Sequence, residues 1–343
     1  MTIRIATTVA VAAVLAGCAG VHAPATPTYA VQSSFAVPGD GRWDLLAVDD
    51  SGHRLFLSRS DRVQVIDTRD GHLIGEISGT AGVHGIALVP SLGRGFATNG
   101  RSNTVTEFDL ATLARVRDLP VSGQSPDALL YDTHSKHLFI FNAKSNNASV
   151  LDPISGRELA TIAFDGNPEL GASDEAGHVF VNIEDRGEVV DIASDTSRVA
   201  RAWKLDGCEE PTGLAFDRVH ARLFSACANG VMAVTDAHDG HAVARVPIGD
   251  GPDGAEFDPV LQVALSPNGK SGNLTVVHED DADHYSVRQV LATQVSARTI
   301  ALDTATHRAY LPAARFKPRT GGAESRPEMI AGSFTVLAVG TQD

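Results

Sequence analysis

Little in this chain advertises chemistry. Three cysteines occur in 343 residues, with no Cys-x-x-Cys pair and no Cys/His cluster at zinc spacing. His-Glu-x-x-His, Gly-x-Ser-x-Gly and a phosphate-binding glycine loop are all missing, which removes the common zinc-hydrolase, serine-hydrolase and nucleotide-binding signatures. No apolar run reaches the ~20 residues of a membrane-spanning helix, and no long stretch carries helical periodicity. Positive charge is scarce: 28 Lys and Arg stand against 42 Asp and Glu, a net charge of −14. A surface of that sign repels phosphate backbones, so nucleic acid is not expected as a partner. Arg315, Lys317 and Arg319 form the only dense basic cluster.

What is there begins with an export signal. Arg4 gives a positive start, and Ile5 to Leu15 is apolar apart from Thr7 and Thr8. That run suits a secretory signal peptide. It ends in Leu15-Ala16-Gly17-Cys18, which resembles the bacterial lipobox, where the cysteine is acylated and becomes the mature N-terminus. The expected organisation is a signal peptide over 1–17, a lipidated tether over 18–28 and one folded unit over 29–343. Lipid on Cys18 would hold the protein to a membrane without a spanning helix. The resemblance places it in the cell envelope facing the periplasm. Ala19, where an inner-membrane lipoprotein would carry Asp, points to the outer membrane. Ordinary signal cleavage, with Cys18 incidental, is the alternative.

One motif recurs along the rest of the chain: a polar residue, a short apolar strand, then usually Asp and a turn. It reads Asp44-Leu-Leu-Ala-Val-Asp49, His84-Gly-Ile-Ala-Leu-Val89, Asp127-Ala-Leu-Leu-Tyr-Asp132 and Glu169-Leu-Gly-Ala-Ser-Asp174. It continues as Thr212-Gly-Leu-Ala-Phe-Asp217, Asp253-Gly-Ala-Glu-Phe-Asp258 and Arg298-Thr-Ile-Ala-Leu-Asp303. The copies repeat every 40–45 residues, the length of a four-stranded propeller blade. Second, third and fourth strands follow each copy, rich in Val, Ile, Leu and Phe and punctuated by Gly, Asp, Asn and Pro. The expected fold is all-β, a seven-bladed propeller of four-stranded antiparallel blades. The seventh blade lacks a C-terminal fourth strand, and Tyr29–Val37 is a spare strand before the first. Closing the ring with that N-terminal strand would leave no open sheet edge.

The Asp-flanked repeats, Leu274-Thr-Val-Val-His-Glu-Asp280 and Gly332-Ser-Phe-Thr-Val-Leu337 resemble the YVTN-type, YncE-like family of β-propellers over residues 29–340. Blade two departs from the pattern with Val89 where Asp is usual. The resemblance implies the fold and carries over no catalytic residues.

Strand direction sorts the loops. Connections between strands one and two, and between three and four, are tight turns on one face, as in Pro153-Ile-Ser-Gly156. The other face carries the strand two–three loops and the inter-blade connections. These are richer, and Pro312–Gly332 is the longest; its charged, Gly-rich composition reads as a functional or disordered loop. The residues that open each repeat occupy one equivalent position in seven blades: Asp44, His84, Asp127, Glu169, Thr212, Asp253 and Arg298. Pseudo-symmetry should bring them round the channel mouth as a binding ring, with Asn142, Asn182, Glu209 and Glu210 widening the same face. Such a ring could take a divalent cation or a basic group, and crowding should raise some of its carboxylates. The alternative is that these groups only cap strand ends and line a wet channel. Cys208 and Cys227 are expected to pair as a disulfide, since they precede the first strand and end the second strand of blade five; two free thiols are the alternative. His278-Glu279-Asp280-Asp281, with Asp283 and His284, matches no defined ligand set and reads as a solvated loop. Trp43 and Trp203 should pack between blades.

No cofactor motif is present. The expected function is a binding or scaffolding module at the envelope, anchored through lipid on Cys18, with a protein or small cationic ligand as partner. An enzyme using the central funnel, of metal-dependent lyase or lactonase type, is the alternative on fold analogy. A partner in periplasmic redox or metal handling is suggested by compartment and fold alone.

Overall fold

The computed structural model describes residues 28–49, 51–318 and 327–342. The lipobox cysteine and its tether, up to residue 27, lie outside them. Seven four-stranded antiparallel sheets follow one another round a central channel. Blade one runs Trp43–Asp49, Arg54–Arg59, Arg62–Asp67 and Leu73–Ser78. Blades two to six repeat that order from first strands at Val83–Val89, Pro126–Asp132, Pro168–Ser173, Pro211–Asp217 and Glu256–Asp258. Among the described residues no helix is long and apolar enough to cross a membrane.

The recurrent Asp has a physical task. It ends strand one, and its carboxylate accepts the amides of the following turn: Asp217 from Val219 and His220, Asp258 from Val260 and Leu261, Asp303 from Ala305 and Thr306. This is the Asx-turn chemistry that makes Asp a turn residue. Blade two does without it. After Val89 a single 3-10 turn, Pro90–Leu92, closes onto Gly93 at φ 63°. Proline's fixed φ and glycine's left-handed freedom replace the missing carboxylate.

The core is shared between neighbouring blades because side chains alternate along each strand. Leu55 and Leu57 face blade seven, packing with Tyr310, Phe334 and Val336. Phe56, between them in sequence, faces blade two and packs with Ile86, Ala97 and Phe108. Turn glycines admit the next layer. At Gly71 (φ +79°) an added Cβ would lie 2.4 Å from the Phe35 ring, and at Gly240 (φ +79°) 2.1 Å from Trp203. Trp203 thus packs between blades four and five, and Trp43 between blades seven and one.

Blade seven closes as expected. Its strands are Ala301–Asp303, Arg308–Ala313, Thr335–Gln342 and, outermost, the N-terminal Thr28–Ala36. Thr28 pairs with Gln342 and Ala36 with Thr335. Gln289 of blade six clasps Tyr29 from the side, accepting its N–H and donating to its carbonyl, both at 2.8 Å. The Cys208–Cys227 disulfide is formed, with Cα atoms 5.4 Å apart.

Two loop readings change. The described arms of the long blade-seven segment are paired: Phe316 bridges to Met329, Lys317 donates its N–H to Glu328, and Phe316 packs on Trp43. The stretch His278–Asp281 is strand, not loop. Blade six extends its outer hairpin to Asn273–Asp281 and His284–Ala292, and Glu279 is only 1% exposed.

Candidate functional site

Every first strand starts at the same end of the channel, so the seven opening residues meet there. The backbones of Asp44 and Asp127 are fixed by hydroxyls of their own and neighbouring blades. Thr98 donates to the Asp127 carbonyl at 2.6 Å, Thr299 to the Asp44 carbonyl at 2.9 Å, and the Asp44 amide donates to Ser58 Oγ at 2.9 Å. Five of the seven form an arc of alternating charge across blades six, seven, one, two and three. Arg298 Nε lies 2.5 Å from Asp253 and its Nη2 3.5 Å from Asp44. His84 Nδ1 lies 2.5 Å from Asp44 and 3.5 Å from Asp127. Glu169, in blade four, is held by Asn167, which also donates to Glu184. Thr212 is different: it is buried and donates to the Pro252 carbonyl, tying blade five to blade six.

Burial and mutual repulsion set the charge states. Burial pushes Glu169 up to about 10, with Asp127, Glu184, Asp253 and Asp44 adding to the shift. Asp127 and Asp253 are raised for the same reasons, burial first and Asp44 next. The hydrogen bond that His84 donates to Asp44 raises His84 to about 9 against the opposing effect of burial, so the imidazole is cationic at neutral pH. Arg298 is raised too: burial works against the charge, and Asp253 and Asp44 outweigh it. The ring is therefore a crowded acid cluster with two cations built into it.

Above the ring opens a cavity of about 900 Å³, within the range that holds small organic ligands. Asp44, His84 and Arg298 form its floor, and Trp43 and Phe316, 6.0 Å apart, supply an aromatic wall. Arg42, Arg101 and Lys144 stand at its rim. None of these three drew attention as a site residue in the sequence. For Arg101 and Lys144 the signal that could have found them is a loop shared by three blades, Asn99-Gly-Arg-Ser-Asn103, Asn142-Ala-Lys-Ser-Asn146 and Asn268-Gly-Lys-Ser-Gly272; Arg42 belongs to no such loop.

The four residues expected to widen the site do not line this cavity. Asn142 is fully buried and donates to Asn147 and Ser149. Asn182 is fully buried, donating to the Gly213 carbonyl at 3.0 Å and accepting from Ser225. Both are structural clamps. Glu209 and Glu210 are exposed beside the disulfide on the blade-five side.

Among the described residues, three carboxylate–histidine groups recur at turns on the far face, and one lies in the ring. There Asp44, His84 and Asp127 each present a ligand atom within 4.8 Å of the others.

No protein-family model and no curated protein matches the chain. Among solved structures it is similar to a chain of Kuenenia stuttgartiensis hydrazine synthase, with a TM-score of 0.69 over 80% of this chain and 94% of that one, at 15% identity. A likeness at that identity supports the propeller fold and nothing about chemistry.

Proposed function

We propose that this protein is an exported, lipid-anchored propeller of the YVTN type that works as a binding module at the cell envelope. Its ligand or protein partner would seat a cationic group at the channel-mouth ring. One observation carries the reading: Asp44, Asp127, Glu169 and Asp253, from four different blades, crowd closely enough for Asp44 to push up the other three, and Asp44 opens onto a cavity of about 900 Å³. Each added cation would relieve repulsion that burial now holds in place. The anchor on Cys18 and the family affiliation rest on sequence resemblance.

The test is a pull-down from native membranes with the parent and with Asp127→Ala plus Asp253→Ala. The double variant is expected to lose the bound partner while keeping its thermal unfolding profile. Equal recovery by a folded double variant would make the ring structural.

A second reading, a metal-dependent lyase or lactonase, is favoured only by the Asp44–His84–Asp127 group. His84 Nδ1 already faces two carboxylates, so a metal would have to displace its proton. Stoichiometric metal in purified protein, lost in His84→Ala, would favour this reading.

A further inference from the structure

We infer that the rim of the cavity is an anion-binding tier, so that the ligand is a small zwitterion whose ammonium sits beside a carboxylate or phosphate. The zwitterion rests on the acidic ring being a cation site; the anion tier stands on its own observations.

Blades two, three and six build one loop in one way. Its first Asn is buried and its Nδ2 reaches across to the third strand: Asn99 to Thr104 and Thr106, Asn142 to Asn147 and Ser149, Asn268 to Asn273 and Thr275. The next two amides donate to the chain entering the same blade. Gly100 and Arg101 bond Gly82 and Ala81; Ala143 and Lys144 bond Ser125 and Gln124; Gly269 and Lys270 bond Gly251 and Asp250. Each loop therefore holds its cation on backbone tied at both sides. Folding does not require a cation there. Blade five turns with Ala228-Asn229-Gly230, and Ala228 makes the corresponding bond to Glu209.

Arg101 and Lys144 belong to adjacent blades and share the cavity with Arg42. Among the described residues, none of the three has a carboxylate within ion-pair distance. The chain carries 14 more acids than bases, yet three bases gather here unneutralised. The acids of the ring are engaged with its own cations, Asp44 by His84 and Arg298, Asp127 by His84 and Asp253 by Arg298. Like charges fixed round one opening repel each other, and an anion between them removes that cost. The cavity is too large for an ion alone, and the Trp43–Phe316 wall gives a carbon skeleton a surface to cover. The basic rim takes the anionic end of one short molecule, and its ammonium end reaches Asp44, the single acid of the floor among the described residues, beside the ring acids Asp127 and Asp253.

Trp43 in the cavity wall gives the readout. The chain has two tryptophans, so Trp203→Phe leaves Trp43 as the sole emitter. In that background two sets of probes are titrated: ethanolamine, inorganic phosphate and phosphoethanolamine, then propylamine, propionate and β-alanine. The linked zwitterion of at least one set is expected to bind at least tenfold tighter than either of its halves. Which set responds separates phosphate from carboxylate. Arg101→Ala with Lys144→Ala, both exposed side chains, should reduce that affinity to the level of the amine alone. No saturable response to any anion-bearing probe, or an unchanged response in the double variant, overturns the anion tier. Binding of phosphate or propionate with no gain from a linked amine overturns the zwitterion and the acidic-ring reading, and leaves the anion tier standing.

Discussion

Among the described residues, Arg59 is a cation buried with no carboxylate in ion-pair distance. Its side chain is fully enclosed, with Nη1 donating to Gln64 at 2.9 Å and Nη2 to the Gly39 carbonyl at 2.7 Å. Its guanidinium carbon lies 3.7 Å from the centre of the Phe334 ring. Burial lowers it to about 10, so it stays charged at neutral pH. These contacts pin the connection between the closing strand and blade one. Arg59→Met keeps much of the volume and strands the carbonyls and Gln64. It should cost about 3 kcal/mol, a loss typical of breaking a buried charged network, read by urea unfolding; a loss below about 1 kcal/mol would mean water replaces the guanidinium. Glu256 poses the opposite problem. Two residues before the last residue of each repeat motif stand Ala47, Ala87, Leu130, Ala172, Ala215, Glu256 and Ala301, so one acid interrupts an apolar ring. Burial alone pushes it up to about 8. A folded pKa above the unfolded value means that the folded state binds the proton more tightly. Stability is then full below about pH 4.5 and is lost as pH rises through 8. Glu169 and His84, raised to about 10 and about 9, slope the same way. Glu256→Gln should therefore raise stability at pH 8 by on the order of 2 kcal/mol and leave it unchanged at pH 4. Parallel melting curves across that pH window for parent and variant would refute the assignment.

The closing strand is the element on which the ring depends. Thr28–Ala36 covers the edge of Thr335–Gln342 along its length, and Tyr29 and Phe35 join two different inter-blade cores. Removing residues 28–36 should leave an eight-residue edge open and drive aggregation. Light scattering and thermal unfolding of the truncated chain test this; unchanged solubility and melting would show that the ring holds without it. The closure was legible in the sequence because strands are countable: seven repeats with a missing last strand and one spare leave a single arrangement. The repeats were legible because the Asp that ends strand one has a local task, written within four residues of itself. The disulfide followed from blade register. The site was less legible. Asn142 and Asn182 looked like surface donors because an Asn reads the same whether it faces solvent or clamps a turn. Asp44, His84, Asp127, Asp253 and Arg298 share a position in the repeat, yet their alternation of charge depends on the order of blades round the ring. Arg101 and Lys144 were hidden because a lone cation in a polar loop usually means only a solvated loop.

At the scale of the whole molecule, strand direction fixes which way the cavity looks. First strands run from the cavity face to the turn face, third strands follow them, and fourth strands return. Thr28–Ala36 is the fourth strand of blade seven, and Thr28 pairs with Gln342, the far end of the third. The chain therefore enters the propeller at the turn face, opposite the cavity. With Cys18 as the proposed anchor, nine residues lie between it and Thr28, a reach of at most about 35 Å. A tether that short, joined to the turn face, should hold that face toward the bilayer and present Asp44, Arg101 and Lys144 outward, where a soluble ligand arrives without crossing the headgroups. Two single-cysteine labels read this directly on vesicles carrying a quencher at the headgroup. Ile154→Cys marks the turn face at a residue 74% exposed, and Lys144→Cys marks the cavity rim. The label at residue 154 is expected to be quenched several-fold more than the label at 144, and Cys18→Ala should abolish the quenching of both by releasing the protein. Equal quenching at the two sites would mean that the propeller tumbles on its tether. Stronger quenching at 144 would put the cavity against the membrane, and its ligand would then have to be sought among lipid headgroups.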